Sequence, residues 1–177
     1  MQMEDTTELT RAQLDYLPPV AVARSGYAAG YNSQKPHIME VFCPPRFSLK
    51  SRNYGIYPSL AFDLTIGWDL NDPHVIKFMW KVIEKIQPLM IFGSPNCGSF
   101  SVLANLNKNR PKYETKKAEK IAHLKIVEEL YHYQMRKGRY FCHEHPENAS
   151  SWKLDFMEAF RTIKGVEFAD CDQCMYG

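Results

Sequence analysis

Two residues suited to nucleophilic and acid–base chemistry follow predicted strands of this sequence. Cys97 lies on a glycine-flanked turn after the apolar run 89–92, ahead of a predicted short helix, and Glu144 stands at the end of a later predicted strand, 139–145. A helix N-terminus stabilises a thiolate, which is the nucleophilic form of cysteine. The carboxyl ends of parallel strands share one edge of a sheet. We therefore predict that Cys97 and Glu144 work as a nucleophile and an acid.

The elements that must position this pair alternate along the chain. Apolar runs predict strands, and stretches of helical periodicity predict the connections between most of them. The strands are expected at 38–43, 60–66, 89–92, 139–145 and 165–169, and the helices at 73–87, 114–137 and 152–163. The continuous run 89–92 is typical of a strand covered on both faces. This order predicts an α/β fold, a Rossmann-like doubly wound, mostly parallel sheet with helices on both faces.

Length and composition fit one globular domain. The chain has 177 residues, of which 45% are hydrophobic and 24% charged, so we expect a peripheral segment at 1–36 and one domain at 37–177. No apolar run is long enough to span a bilayer. The net charge of +2 does not by itself indicate a nucleic-acid partner, and the five cysteines occur without a signal peptide. We expect reduced thiols and an intracellular location, cytoplasmic or nuclear.

Four segments carry a resemblance to a known family. Gly93–Ser101 resembles the nucleophile motif of DNA cytosine-5 methyltransferases, and Glu144–Pro146 is similar to the family's E-N-V or E-N-P tripeptide. Trp68–Asp72 resembles the acidic segment that holds the adenine of S-adenosylmethionine, and Glu40–Phe42 lies where the family has its first strand. The resemblance covers about 38–177. It implies S-adenosylmethionine as cofactor and a base in nucleic acid, DNA before RNA, as substrate.

The resemblance also implies a role for individual residues. Cys97 would attack carbon 6 of a cytosine flipped out of its helix, and Glu144 would protonate or hydrogen-bond the adjacent ring nitrogen. The cofactor-binding residues would be Phe42, Asp63, Asp69 and Pro95. The substrate-binding residues would be Ser101, Lys108, Arg110 and His145, with the basic residues of the loop 105–115 on phosphate. A partner chain would supply target recognition, since no recognition domain follows the motifs.

A second hypothesis has no catalysis. Where the family has a glycine-rich cofactor loop, this chain has Cys43-Pro44-Pro45, which favours a non-catalytic α/β binding module that has lost that loop. Such a module would suit a structural zinc site, because thiolates and imidazoles are zinc ligands. Its ligands would be His143, His145, Cys171 and Cys174.

Structural roles compete with each functional one. Cys97 is also suited to be a small buried residue at a turn, and Glu144 to bond backbone or pair with Arg139. Asp63 and Asp69 suit turns or helix starts, where a carboxylate accepts from backbone N–H groups.

Overall fold

The computed structural model describes residues 37–101, 104 and 111–172. Its centre is a four-stranded, all-parallel sheet of order β2-β1-β3-β4. The strands are β1 Ile38–Val41, β2 Pro58–Phe62, β3 Met90–Gly93 and β4 Tyr140–His143. Because chain order reverses beside β1, the carboxyl ends of β1 and β3 form the switch point at which sheets of this kind bind ligands.

Within the part of the chain that the structure describes, four helices and three 3₁₀ turns accompany the strands. The helices are α1 Arg46–Lys50, α2 Pro73–Ile86, α3 Tyr113–Arg136 and α4 Asp155–Arg161, and the 3₁₀ turns are Ser51–Tyr54, Leu64–Ile66 and Ser150–Lys153. Asp72 caps α2 by accepting from the His74 N–H at 2.8 Å, and left-handed Gln87 ends it. None of the described helices is long and apolar enough to cross a membrane.

Helices cover both faces of the sheet. Phe47 of α1 packs on Phe92 of β3 with ring centroids 4.6 Å apart, and Tyr131 of α3 stacks on Phe141 of β4 at 4.5 Å. Phe141 pairs in register with Ile91, the neighbour of Phe92. Since side chains alternate along a strand, Phe92 and Phe141 point to opposite faces. The predicted α/β, Rossmann-like class is therefore confirmed.

The chain divides into two compact units. Unit 1 contains Met1–Pro95 and Glu129–Glu144, and unit 2 contains Asn96–Glu128 and His145–Gly177. The unit 1 core includes Trp68, whose ring stacks on Phe78 with centroids 5.4 Å apart. The unit 2 core gathers the buried side chains of Phe100, Leu124, Ala149 and Met157.

One strand prediction has the wrong bounds and another was wrong: the strand predicted at 60–66 is β2, Pro58–Phe62, and 165–169 is not a strand. The run 60–66 leaves the sheet after Phe62, because Asp63 accepts from the Thr65 N–H and opens a 3₁₀ turn. The run 165–169 has no regular structure; its one aromatic residue, Phe168, lies edge-on to Trp152 at 5.8 Å.

Other boundaries also shifted. The predicted helix 152–163 is a 3₁₀ turn followed by the shorter α4. β3 is fully buried on one face only, since Ile91 is buried whereas Met90 and Phe92, on the other face, are half-buried. The helix α1 was not predicted, because the double proline before it suggested a loop. The predictions for α2 and for the helix 114–137 hold within two residues.

Candidate active site

A hydrogen bond joins the carboxyl ends of β3 and β4. Ser94 directly follows β3, and its hydroxyl donates to Oε2 of Glu144, which directly follows β4, at 2.6 Å. Both residues are half-buried and belong to unit 1. Glu144 therefore occupies the edge position that the sequence predicted for it, and its carboxyl group is held by a hydroxyl from the neighbouring strand.

The backbone around this pair is tied to the sheet. The Ser94 N–H donates to the Val41 carbonyl at 3.1 Å, and the Glu144 N–H donates to the Gly93 carbonyl at 2.9 Å. These bonds continue the parallel ladder one residue past the strands. The ends of β1, β3 and β4 therefore share one hydrogen-bonded edge, beside the switch point.

Cys97 lies on a tight turn in unit 2. The Asn96 side chain accepts from the Gly98 N–H at 2.8 Å, and the Cys97 carbonyl accepts from the Phe100 N–H at 2.8 Å. The side chain of Cys97 is half-buried, so its sulfur is not sealed in a core. Asn96 thus makes an Asx turn that fixes the backbone around the cysteine.

Two histidines predicted as site residues are bonded to hydroxyl groups. The Nδ1 atom of His143 lies 3.0 Å from the buried Tyr131 hydroxyl, and burial raises the pKa of that hydroxyl well above its usual value. The Nδ1 atom of His145 lies 2.6 Å from the Oγ of Ser151, which is fully buried. Both contacts orient an imidazole, and Ser151 is too deep to reach a substrate.

His145 belongs to an aromatic cluster of unit 2. Its ring contacts Phe100 edge-on at 5.9 Å and Trp152 at 6.0 Å. The Trp152 Nε1–H donates to the Pro146 carbonyl at 2.8 Å. This cluster holds the segment that follows Glu144.

Glu40 is the most deeply buried charged group of unit 1. It is fully buried, and its carboxylate accepts from the N–H groups of Arg46, Phe47 and Ser48 at 3.0, 3.0 and 2.8 Å. The Ser48 hydroxyl and the Cys43 thiol also donate to it. These three amides open α1, the place where a Rossmann-type site binds a pyrophosphate. Here the protein's own carboxylate takes that anion position.

The loop between β1 and α1 is built without glycine. Phe42 adopts the left-handed region at φ 59°, which favours glycine, and its N–H donates to the Phe62 carbonyl at 2.8 Å. Cys43 is buried; desolvation, then the charge of Glu40, raises the pKa of its thiol far above the usual range. Cys43 is therefore a neutral packing residue, and Phe42 shapes the turn.

Asp63 and Asp69 both have turn roles, and each accepts through its Oδ1 atom. Oδ1 of Asp63 accepts from both the N–H and the hydroxyl of Thr65, while Oδ2 has no hydrogen bond among the described residues. Oδ1 of Asp69 accepts from the N–H and the side-chain amide of Asn71, each at 2.9 Å. Asp63 directly follows β2, at a strand end of the kind where a carboxylate binds ribose hydroxyls in Rossmann-type sites.

The α1 amides are not available to a bound phosphate. A dinucleotide needs amide donors for its pyrophosphate, and those of α1 are taken by Glu40.

The remaining predicted residues are less informative. Pro95 is buried after Ser94 and fixes the exit from β3. The Ser101 hydroxyl accepts from the Ala104 N–H at 3.2 Å, a turn role. Lys108, Arg110 and Cys174 lie outside the described residues. Cys171 is exposed, and within 37–101, 104 and 111–172 there is no group of three metal-ligating side chains.

Sequence reasoning missed Ser94 and the capping role of Glu40. The hydroxyl residue between Gly93 and Pro95 at a strand end was a usable signal for Ser94. The two prolines before Arg46 were a signal for the helix start that Glu40 caps. No family model, curated protein or solved structure matches this chain.

Proposed function

We propose that this protein is an S-adenosylmethionine-dependent methyltransferase of the cytosine-5 type, acting on a base in nucleic acid. The observation that carries the proposal is the edge formed by Ser94 and Glu144 at the ends of β3 and β4. The nucleophile is assigned to Cys97, three residues after Ser94 in the sequence, on the family resemblance. Methylation of cytosine at carbon 5 requires two protein groups, an acid and a nucleophile. Glu144 supplies the carboxyl group and Cys97 the thiol.

Asp63 is the residue that we assign to the cofactor ribose. One of its oxygens is used in the turn, and the other has no partner in the described part of the chain. Phe42 and Pro95 shape the two loops that flank the switch point, and Glu40 keeps the α1 amides occupied. The cofactor, when bound, supplies an electrophilic methyl group.

The chain's own groups carry the remaining steps. The Cys97 thiol gives its proton to water, and its sulfur adds to carbon 6 of the cytosine. Glu144 gives a proton to, or hydrogen-bonds, ring nitrogen 3, which is conjugated with carbon 6 through carbons 5 and 4. Carbon 5 thereby becomes nucleophilic and takes the methyl group. A water molecule then takes the carbon 5 proton, the carbon 5–carbon 6 double bond forms again, and the carbon–sulfur bond breaks to release the Cys97 thiolate. Ring nitrogen 3 returns its proton to Glu144.

The cofactor assignment is tested by calorimetric titration. S-adenosylmethionine and S-adenosylhomocysteine are expected to bind at micromolar concentration, while NAD and ATP are not. Asp63→Asn should weaken binding by about 10- to 100-fold, the loss of charge-assisted hydrogen bonds. Asp72→Asn is the matched control, because asparagine also caps a helix. Absence of adenosyl-ligand binding, or tighter binding of NAD, would refute the assignment.

The nucleophile is tested with an oligonucleotide that contains 5-fluorocytosine. Carbon 5 then has no proton to lose, so the enzyme stays covalently attached. Cys97→Ser should abolish the adduct, whereas Cys142→Ser, at an exposed cysteine of β4, should retain it. Cofactor binding without any adduct would leave the non-catalytic binding module as the function.

A further inference from the structure

The contact between Ser94 and Glu144 is more specific than a strand connection requires. The backbone hydrogen bonds to the carbonyl groups of Val41 and Gly93 already fix the backbone positions of Ser94 and Glu144. The 2.6 Å bond from the Ser94 hydroxyl to Oε2 adds a constraint on the side chain of Glu144. It joins residues 50 positions apart and is only partly open to water.

We propose that Ser94 is the positioning residue for Glu144, holding Oε2 and thereby fixing the orientation of the carboxyl group that acts on the target base. The inference rests on the proposed function and adds a residue that neither the sequence motifs nor the resemblance assigned. A hydroxyl is both donor and acceptor. Ser94 therefore donates to the carboxylate and accepts from, or donates to, the protonated acid.

This dual role suits an acid that changes protonation during turnover. When Glu144 gives its proton to the ring nitrogen, an O–H bond breaks at the carboxyl group and an N–H bond forms on the base. The Ser94 hydroxyl then donates to the new carboxylate, and the reverse transfer restores the starting state. An alanine offers neither bond, while a threonine offers both.

The test measures the rate of adduct formation with the 5-fluorocytosine oligonucleotide and S-adenosylmethionine. Ser94→Ala should lower the maximal rate by about 10- to 100-fold, the range for a misplaced catalytic group, with less than about a threefold change in the oligonucleotide concentration for half-maximal rate. Ser94→Thr should recover most of the rate. Ser59→Ala is the matched control, because Ser59 is buried on β2 and its hydroxyl has no hydrogen-bond partner among the described residues.

A double-mutant cycle separates positioning from a structural role. In a Glu144→Gln background, Ser94→Ala should change the rate by less than twofold, because the group on which Ser94 acts is already altered. The adduct is irreversible and accumulates, so slow variants remain measurable. If the full Ser94→Ala loss persists in that background, or if Ser94→Ala matches the wild type, the positioning role is overturned while the proposed function stands. No adduct with the wild-type protein overturns both.

Discussion

Replacing Glu40 by glutamine tests whether this carboxylate organises the turn between β1 and α1. Glu40 is fully buried, and each of its oxygens accepts from more than one donor. Oε1 accepts from the N–H groups of Arg46 and Phe47 and from the Cys43 thiol, and Oε2 accepts from both the N–H and the hydroxyl of Ser48. Glutamine has the same shape but keeps only one acceptor oxygen.

The stability lost in Glu40→Gln is worked out for the more favourable of the two orientations of the glutamine side-chain amide. With the glutamine oxygen in the Oε1 position, its NH₂ group faces Ser48, whose hydroxyl can turn to accept but whose N–H cannot. One buried N–H left unsatisfied costs about 1–3 kcal/mol. The bonds from Arg46 and Phe47 lose the assistance of a charge, about 1 kcal/mol each. Easier burial of a neutral group offsets part of this, so we expect a loss of about 3 kcal/mol.

The assay is urea denaturation at pH 7 followed by circular dichroism. A loss of about 3 kcal/mol is a large share of the 5–15 kcal/mol by which most domains are stable. Glu84→Gln, at an exposed position of α2, is the control and should change stability by less than about 0.5 kcal/mol. A loss below about 1 kcal/mol for Glu40→Gln would show that the α1 amides do not depend on this carboxylate.

Three further outcomes are expected. Burial and the charge of Glu40 raise the pKa of the Cys43 thiol, so above about pH 8.5 the folded protein keeps a proton that the unfolded chain loses. The free energy of unfolding should therefore fall there by up to about 1.4 kcal/mol per pH unit. Cys43→Ala should flatten this slope in urea titrations, and an unaltered slope would contradict the prediction. Desolvation, then the charge of Glu144, raises the pKa of the Cys142 thiol. Glu144→Gln should therefore speed the alkylation of Cys142 by iodoacetamide at pH 8, measured by peptide mass spectrometry. An unchanged rate would show that the charge of Glu144 does not act on Cys142. Gln87 ends α2 at φ 53°, so Gln87→Gly should stabilise the protein by about 0.5 kcal/mol in thermal melts, and a lower melting temperature would show that its side chain matters more.

Local signals were sufficient where the stabilising contacts are local. Asp72 and Pro73 start α2, and the cap is made within two residues by the His74 N–H. The end of α3 is similarly local, since left-handed Gly138 follows it closely. Short-range chemistry of this kind is readable from sequence because few alternatives compete with it.

Predictions failed where the deciding contact was a tertiary one. The run 165–169 has strand-like composition, but its Phe168 packs beside Trp152 and its Val166 N–H bonds the Ile163 carbonyl. Likewise, sequence placed Ser94 and Glu144 at separate strand ends, and only the register of β3 on β4 brings them to 2.6 Å. Register is a property of the whole sheet, which no single segment determines.

The absence of glycine after β1 is a weaker argument for a non-catalytic binding module, and against a methyltransferase, than the sequence alone suggests. Glycine is needed in such a loop so that backbone can approach a pyrophosphate. Here the α1 amides turn inward to Glu40, so no ligand has to approach them. Phe42 adopts the one left-handed conformation that the turn requires. A loop of this kind does not exclude the cofactor that we propose, and the proposed cofactor site is tested at Asp63, whose second oxygen has no hydrogen bond among the described residues.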